Sequence, residues 1–317
     1  MQTTAAQQKQ KKTKKNSGTE LNSQLIRRPI QRCFALFLLP TFICFCIGFL
    51  WPFIQGIYLS FCKFSTTSNA EFIGLANFVE AINDAQFRYS FGYTALFAIA
   101  SIITINLIAF AIAYALTRAI KGTTLFRGVF FLPNLIGGIV LGYIWQVIFS
   151  GVLSPMGLSI KTSTTLGFWG LVILMNWQQV GYMMIIYIAG IQAVPADELE
   201  AAGIDGANGW QKLIHITIPT VMPSITICNF LTLTNSFKLF DQNMVLNGGA
   251  PLSISVANGA ISKINTTEMM ALNIYNTFYT NANYRGVGQA KAVLFFLLVS
   301  AIALGQMWLT RSKEVQQ

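Results

Sequence analysis

Charge is what this 317-residue sequence has least of: only 10% of its residues are Asp, Glu, Lys or Arg, against about 25% in an average soluble domain. A soluble globule so poor in charge could not cover its own surface, so the solvent for much of the chain is lipid. Histidine is nearly absent, with His215 standing alone. No Asp or Glu falls inside any long apolar run. A membrane-embedded enzyme would need an intramembrane acid, base or metal cluster, and an ion-coupled secondary transporter would usually keep an intramembrane carboxylate. Both readings lose their chemistry here, and the sequence offers no catalytic residue and no metal ligand set. The five cysteines (Cys33, Cys44, Cys46, Cys62 and Cys228) show no metal-ligand spacing. Cys44 and Cys46 are two apart, which does not place them on one helix face, and the odd count argues against a disulfide framework. They read as small apolar packers. No G-x-x-x-x-G-K-[ST] phosphate loop occurs, so ATP hydrolysis cannot be assigned to this chain.

What is present is apolar and long. Residues 33–62, 89–117, 128–160, 162–196, 213–237 and 292–310 contain no charged side chain, and each holds about the 20 apolar residues a bilayer crossing needs. The first run is far longer than the apolar region of a cleavable signal, so it is expected to stay as a true span. Residues 242–262 are also charge-free, but Gly248, Gly249, Pro251 and several Asn and Ser make them too polar to span, and they read as a loop. The expectation is an all-α polytopic membrane protein with six transmembrane helices.

The net charge of +10 is concentrated: 8 of the 21 Lys and Arg precede Cys33. The basic residues are not interleaved along a folded face, which excludes a nucleic-acid partner. Residues 1–32 read as a disordered basic tail, a topology signal that could also touch anionic lipid heads. With both termini cytoplasmic, the inside segments carry 14 basic residues against 7 outside, which satisfies the positive-inside bias. The chain then divides into the tail 1–32, a transmembrane domain 33–310 and a cytoplasmic C-terminus 311–317. The 195–218 loop departs from this bias, with Lys212 facing four acids, Asp197, Glu198, Glu200 and Asp205. An acidic inside loop in a basic protein points to a partner.

Pro195 and the acids after it suit a helix start, and Glu200-Ala201-Ala202 continues it. The run Asp205-Gly206-Ala207-Asn208-Gly209 breaks it. Trp210 to Ile218 resumes an apolar-periodic helix up to Pro219. The expected product is a helix–turn–helix on the membrane surface.

At this point the sequence resembles a family, the permeases of binding-protein-dependent ABC importers. Their cytoplasmic loop pattern is Glu-Ala-Ala, three residues, Gly, nine residues, Ile, one residue, Leu-Pro. Here Glu200, Ala201, Ala202, Gly206, Ile216 and Pro219 stand at those spacings, with Asp205 before the glycine. The pattern departs at Ile218, where Leu is usual, and at Leu213, where Phe is common. The stretches 72–78, 126–133, 236–241 and 248–251 are similar to the carbohydrate branch, of the maltose and multiple-sugar type. The resemblance implies the type I importer fold in a bacterial cytoplasmic (inner) membrane. It implies a heterodimer with a second, homologous permease, two ATPase subunits and an extracellular or periplasmic sugar-binding protein. It places ATP and Mg on the partner ATPase, with no cofactor in this chain. It also implies that Glu200 pairs with a basic ATPase residue and that Gly206 permits the sharp turn. An importer of the same class for glycerol phosphate is the alternative, and a phosphate would favour a cavity-facing Arg or Lys, which the spans lack.

Polar groups in spans should face a cavity. Three clusters are candidates for the substrate path: Asn134 with Gly138, then Gln178, Gln179 and Tyr182, and finally Asn229, Thr232 and Ser236 at i, i+3 and i+7. The same residue types also serve interhelical hydrogen bonds. Trp145 and Trp177 could stack on a sugar or simply pack. Lys238 and Asp241, three apart, read as an ion pair at a helix end or as a binding-protein contact.

Overall fold

The computed structural model describes residues 38–118, 121–257 and 260–311. The tail 1–32 and the segment beyond residue 311 lie outside the described residues. The chain divides into two compact units, 1–58 and 59–317. The first consists of most of helix α1, Leu38–Ser60. In α1, Phe45, Phe49 and Phe53 repeat every four residues, and their rings stack at centroid distances of 5.2 and 6.0 Å. Nearly all of its other side chains point outward, as a helix that is apolar all round must do in lipid.

The second unit begins with a two-residue antiparallel ladder, β1 (Cys62–Lys63) on β2 (Glu71–Phe72). Helix α2 (Ala76–Asn83) follows and is tied to the ladder by Asn77 Nδ2, which donates to the carbonyls of Ser60 and Cys62 at 2.9 Å each. Asp84 then caps α3 (Ala85–Leu116), its carboxylate accepting from the Gln86 N–H at 2.8 Å. Downstream run α4 (Thr123–Phe131), α5 (Gly138–Leu153) and α6 (Thr164–Gln192). Then come α7 (Ala196–Ile204), α8 (Gly209–Thr220) and α9 (Met222–Phe237). The rest is α10 (Asp241–Leu246), a hairpin of β3 (Leu252–Ala257) and β4 (Ala260–Asn265), α11 (Met270–Thr280) and α12 (Arg285–Arg311).

Five helices among the described residues are long and apolar enough to cross a membrane. The pair α8 and α9, bent by 68°, passes as a sixth crossing. The centre of the bundle is α3 against α6. Phe97, Ile105, Ala109 and Ala113 of α3 meet Leu171, Leu174, Met175, Met183 and Met184 of α6, all buried. Lipid offers no hydrophobic drive for this contact, so close packing and interhelical hydrogen bonds must supply it. Ala109 and Ala113 let the backbones approach. Tyr187 donates its hydroxyl to Asn106 Oδ1 at 2.7 Å, and Asn176 Nδ2 donates to Thr104 Oγ1 at 2.9 Å.

Three boundaries differ from the sequence expectation. The third span starts at Gly138, ten residues after its expected start at 128, because Pro133 and the extended Gly137 interrupt the helix. The last helix starts at Arg285, ahead of Lys291, whereas a charge-free criterion begins it at 292. Residues 242–262, expected as a loop, contain most of α10 and much of a β-hairpin. The expected Lys238–Asp241 pair is not formed. The helix stops at Phe237 and a new one begins at Asp241, so the two are not one turn apart on a single helix.

Lys291 shows why the last helix tolerates charge. It is 1% exposed, and its ammonium has three protons to place. They go to Asp84 Oδ2, to Asn273 Oδ1 at 3.0 Å and to Thr277 Oγ1 at 2.8 Å. The ring of Phe87 lies 5.4 Å from Nζ. Asn273 also donates to Glu268, as does Asn276. Glu268 is buried, and its desolvation holds its carboxyl above the usual carboxylate range, opposed by bonds from Asn276, Asn273 and Asn265 and by the charge of Lys291.

Two outcomes follow from this cluster. Lys291→Met leaves the buried Asn273 and the half-buried Asp84 and Thr277 without their donor and lowers unfolding stability by about 3 kcal/mol, read as a loss of thermal stability of the purified complex. Asp84→Asn in the same background recovers part of that loss, and an additive result would mean the pair is uncoupled. A carboxyl whose folded-state pKa is raised stabilises the fold below its unfolded pKa, and that contribution fades as pH rises through the folded value. Glu268→Gln removes the fading term. The variant's melting temperature relative to wild type should therefore rise as pH climbs above the ordinary Glu value of about 4.3, and a pH-independent difference would contradict the burial argument.

Candidate functional site

The segment singled out in the sequence folds as two short helices around one turn. Pro195 opens α7, with Asp197 and Glu198 in the first turn, where the helix dipole favours negative charge. The helix ends in a Schellman arrangement. Gly206 sits at φ +83°, the Ala207 N–H reaches the Ala202 carbonyl at 2.9 Å, and the Gly206 N–H reaches that of Gly203 at 3.2 Å. Lys212 folds back over this end: a Cβ on Gly203 would lie 2.8 Å from its Nζ. The chain restarts with a capping box. Asn208 Oδ1 accepts from the Gln211 N–H at 2.9 Å, and Gln211 Oε1 accepts from the Asn208 N–H at 2.8 Å.

This turn is built for exposure. Glu200, Ala201, Asp205 and Gly206 lie at the surface, and Ala202 is half-buried. Ile204 is 88% exposed and Trp210 is 69% exposed. A large apolar residue thus stands exposed on each side of a polar turn that is capped at both ends. Ile204 is a residue that motif reading passed over. The inward face holds the unit in place: Leu199 and Ile216 pack on the main core, Leu213 is buried and Pro219 is half-buried. Beyond Pro219 the chain bends at Val221 into α9.

The substrate-path candidates divide into a seam and separate groups. Gln178 and Gln179 are adjacent on α6 and buried, yet they bond in different directions. Gln178 Oε1 accepts from Gln242 Nε2 at 2.8 Å, and its own Nε2 points to the Ile136 carbonyl at 3.5 Å, in the break before α5. Gln179 Oε1 accepts from Asn235 Nδ2 at 3.3 Å. Gly138 joins the same place, because a Cβ there would sit 2.9 Å from the Asp241 Cβ and 3.0 Å from Gln242 Nε2. One turn on, Gly142 makes room for Val245. The Gly138-x-x-x-Gly142 face therefore seats α10. Gln242 and Asn235 were not among the expected residues, since neither stands out by period or spacing until α10 is known to fold back on α5.

Thr232 is buried at the α3–α9 contact, 3.5 Å from Asn106 Nδ2. Ser236 is buried, and its hydroxyl has no partner. Asn134, in the turn after Phe131, and Asn229 are half-buried, and neither hydrogen-bonds to the seam among the described residues. Tyr182 packs on the core. Trp145 and Trp177 meet edge to face at 5.7 Å. The seam is made of amides and hydroxyls, with no Arg or Lys in it.

Fold and loop together define a polytopic helical membrane protein with an exposed helix–turn–helix between its fourth and fifth crossings. Residues 121–314 match the family described as "Binding-protein-dependent transport system inner membrane component", and this chain belongs to that family. It is 44% identical over 290 residues to the "Probable starch degradation products transport system permease protein AmyD" of Thermoanaerobacterium thermosulfurigenes, covering 89% of this chain and 94% of the relative. It is 29% identical over 289 residues to the "Multiple sugar-binding transport system permease protein MsmF" of Streptococcus mutans, covering 88% and 95%. Among solved structures, a chain of a bacterial ABC transporter involved in the import of the acidic polysaccharide alginate superposes with TM-score 0.73 at 20% identity, over 90% of this chain and 98% of that one. That likeness supports the fold.

One glycine fixes the broken third segment. A Cβ on Gly181 would fall 1.8 Å from the Phe130 carbonyl oxygen, so the end of α4 lies directly on α6 backbone. Gly181→Val should abolish accumulation of folded permease in membranes. Gly151→Val, where a Cβ meets nothing within 4 Å, should leave it unchanged. Equal accumulation of both variants would refute the contact.

Proposed function

We propose that this chain is one of two membrane-spanning subunits of a bacterial importer that carries a sugar or oligosaccharide inward, driven by ATP hydrolysed on a separate subunit. The exposed helix–turn–helix at 195–219 carries the coupling half of this reading. It is rigid, capped at both inner ends and flanked by Ile204 and Trp210, and it continues through a bend into α9. In this reading both termini are cytoplasmic, and the turn seats in a cleft of the ATPase. Glu200 pairs there with a basic side chain, while Asp205, Gly206 and the Ala201–Ala202 step shape the surface. Ile216 and Pro219 carry the load to the membrane. ATP and Mg reside on the two ATPase copies, and this chain holds neither. A second permease completes the pathway, and an extracellular binding protein delivers the solute.

The identity to a starch-product permease supports sugar as the cargo. So does the seam of Gln178, Gln179, Asn235 and Gln242, whose amides suit neutral hydroxyls and leave a phosphate without a cationic partner.

The test is ATPase activity of the purified complex, with and without binding protein and sugar. Glu200→Lys and Gly206→Trp should both assemble and lose sugar-stimulated hydrolysis by about tenfold or more. At Gly206 a Cβ meets open space in the chain itself, so the left-handed backbone costs the fold only about 1–2 kcal/mol and the added bulk acts on the partner. Stimulation that survives both substitutions would make the loop a mere connector.

A further inference from the structure

Helix α11 carries a surface that none of the foregoing uses. Its two faces are chemically opposite. On one, Asn273 and Thr277, four residues apart, are bonded to Lys291, and Asn273 also to Glu268. On the other, Tyr275 lies 5.0 Å from Phe240 and 4.6 Å from Tyr279, and Tyr279 lies 5.0 Å from Phe278. These four rings wall an open cleft of about 380 Å³, whose remaining lining is Ala271, Ile274, Gly288, Gln289 and Ala292. The wall is held from behind. Phe278 meets Phe64 edge-on at 6.4 Å, the Arg285 guanidinium lies 5.8 Å from its ring, and Gly288 gives it space, since a Cβ there would be 3.0 Å away. Tyr275 and Tyr279 are exposed.

The lining contains no charged side chain. Its polar groups are two phenol hydroxyls and the Gln289 amide, and none of these has a hydrogen-bond partner among the described residues. A row of ring faces with neutral donors and acceptors at its edge suits a flat ligand that is apolar on its C–H face and hydroxylated at its rim. That is a pyranose ring. An ionic ligand would find no counter-charge, and a purely apolar one would leave the amide and hydroxyls unmatched. The cleft also lies across one membrane crossing, α9, from the helix–turn–helix, which puts it on the side where solute arrives.

We infer that Tyr275, Tyr279, Phe240 and Gln289 form a stacking subsite for one ring of a neutral gluco-oligosaccharide at the outer mouth of the pathway. The inference rests on the sugar-importer reading. The buried Lys291–Asn273–Thr277 bonds fix α11, so the rings are aligned before sugar arrives and little ordering cost falls on binding. A chain too short to reach beyond the membrane seam gains nothing from the platform, whereas a long one gains a second foothold.

Saturation-transfer NMR of maltoheptaose with the purified importer, binding protein omitted, should show transfer to ring C–H protons of the sugar. The double variant Tyr275→Ala/Tyr279→Ala should lose it, and Tyr275→Phe/Tyr279→Phe, which keeps the rings and guards against a folding artefact, should retain most of it. In proteoliposomes with binding protein, the uptake ratio of maltoheptaose to maltose should fall about fivefold in the alanine variant. Absent transfer in wild type, or an unchanged ratio in the variant, overturns the subsite and assigns the rings to the lipid interface or to the second permease. Failure to take up either sugar in wild type would instead overturn the sugar-importer reading itself.

Discussion

A lysine can enter a membrane helix only if every proton of its ammonium has somewhere to go. Lys291 meets that condition with three acceptors from two other segments, and one end of the second unit is organised around it. Asp84 is at once its counter-ion and the cap of α3. Asn273 and Thr277 set the rotation of α11 about its axis. Glu268 accepts from the same asparagine and anchors the turn between the hairpin and α11. The cluster is costly by itself, because a cation and the buried carboxyl of Glu268 lose their water, while Asp84 keeps part of its own. Its return is in geometry: three separate backbone segments can meet in only one way that satisfies it.

The deep part of the molecule uses a cheaper device. Between α3 and α6, the small side chains of Ala109 and Ala113 let the helices approach, and single side-chain bonds such as Tyr187 to Asn106 set the register. Gly181 under Phe130 and Gly138 and Gly142 under α10 extend the principle to broken helices. Where the chain has to stop being helical inside the membrane, a glycine on a neighbour takes up the irregular backbone. The freed polar groups are met by glutamines, as Gln178 meets the Ile136 carbonyl.

Much of this was legible in the sequence and some was not, for physical reasons. Charge-free runs located the five long apolar helices and the bent α8–α9 pair, since lipid imposes that pattern without help from tertiary structure. The Glu-Ala-Ala to Pro219 spacing located the helix–turn–helix, whose caps and left-handed glycine are local chemistry. Boundaries failed where long-range contacts decide them. Lys291 reads as the end of a span until Asp84 is known to be beside it. Residues 242–262 read as a loop because their partners lie far back in the chain, Gln178 at 64 residues and Gly138 and Gly142 further still. Gln242 and Asn235 gave no signal for the same reason. Ile204 gave one that went unweighed, an apolar side chain immediately before a polar turn.

The bend at Val221 has a mechanical meaning. A straight helix pushed at one end can only slide along itself. A rod bent by 68° is a crank. A sideways displacement of its short arm, α8 with the turn attached, becomes a twist of the long arm about its own axis. Such a twist would act on the contacts α9 makes, Thr232 at Asn106 and Asn235 at Gln179, and on the unpartnered Ser236 hydroxyl. Under the proposed coupling, a small stroke of the short arm would thereby reach hydrogen bonds at the heart of the bundle.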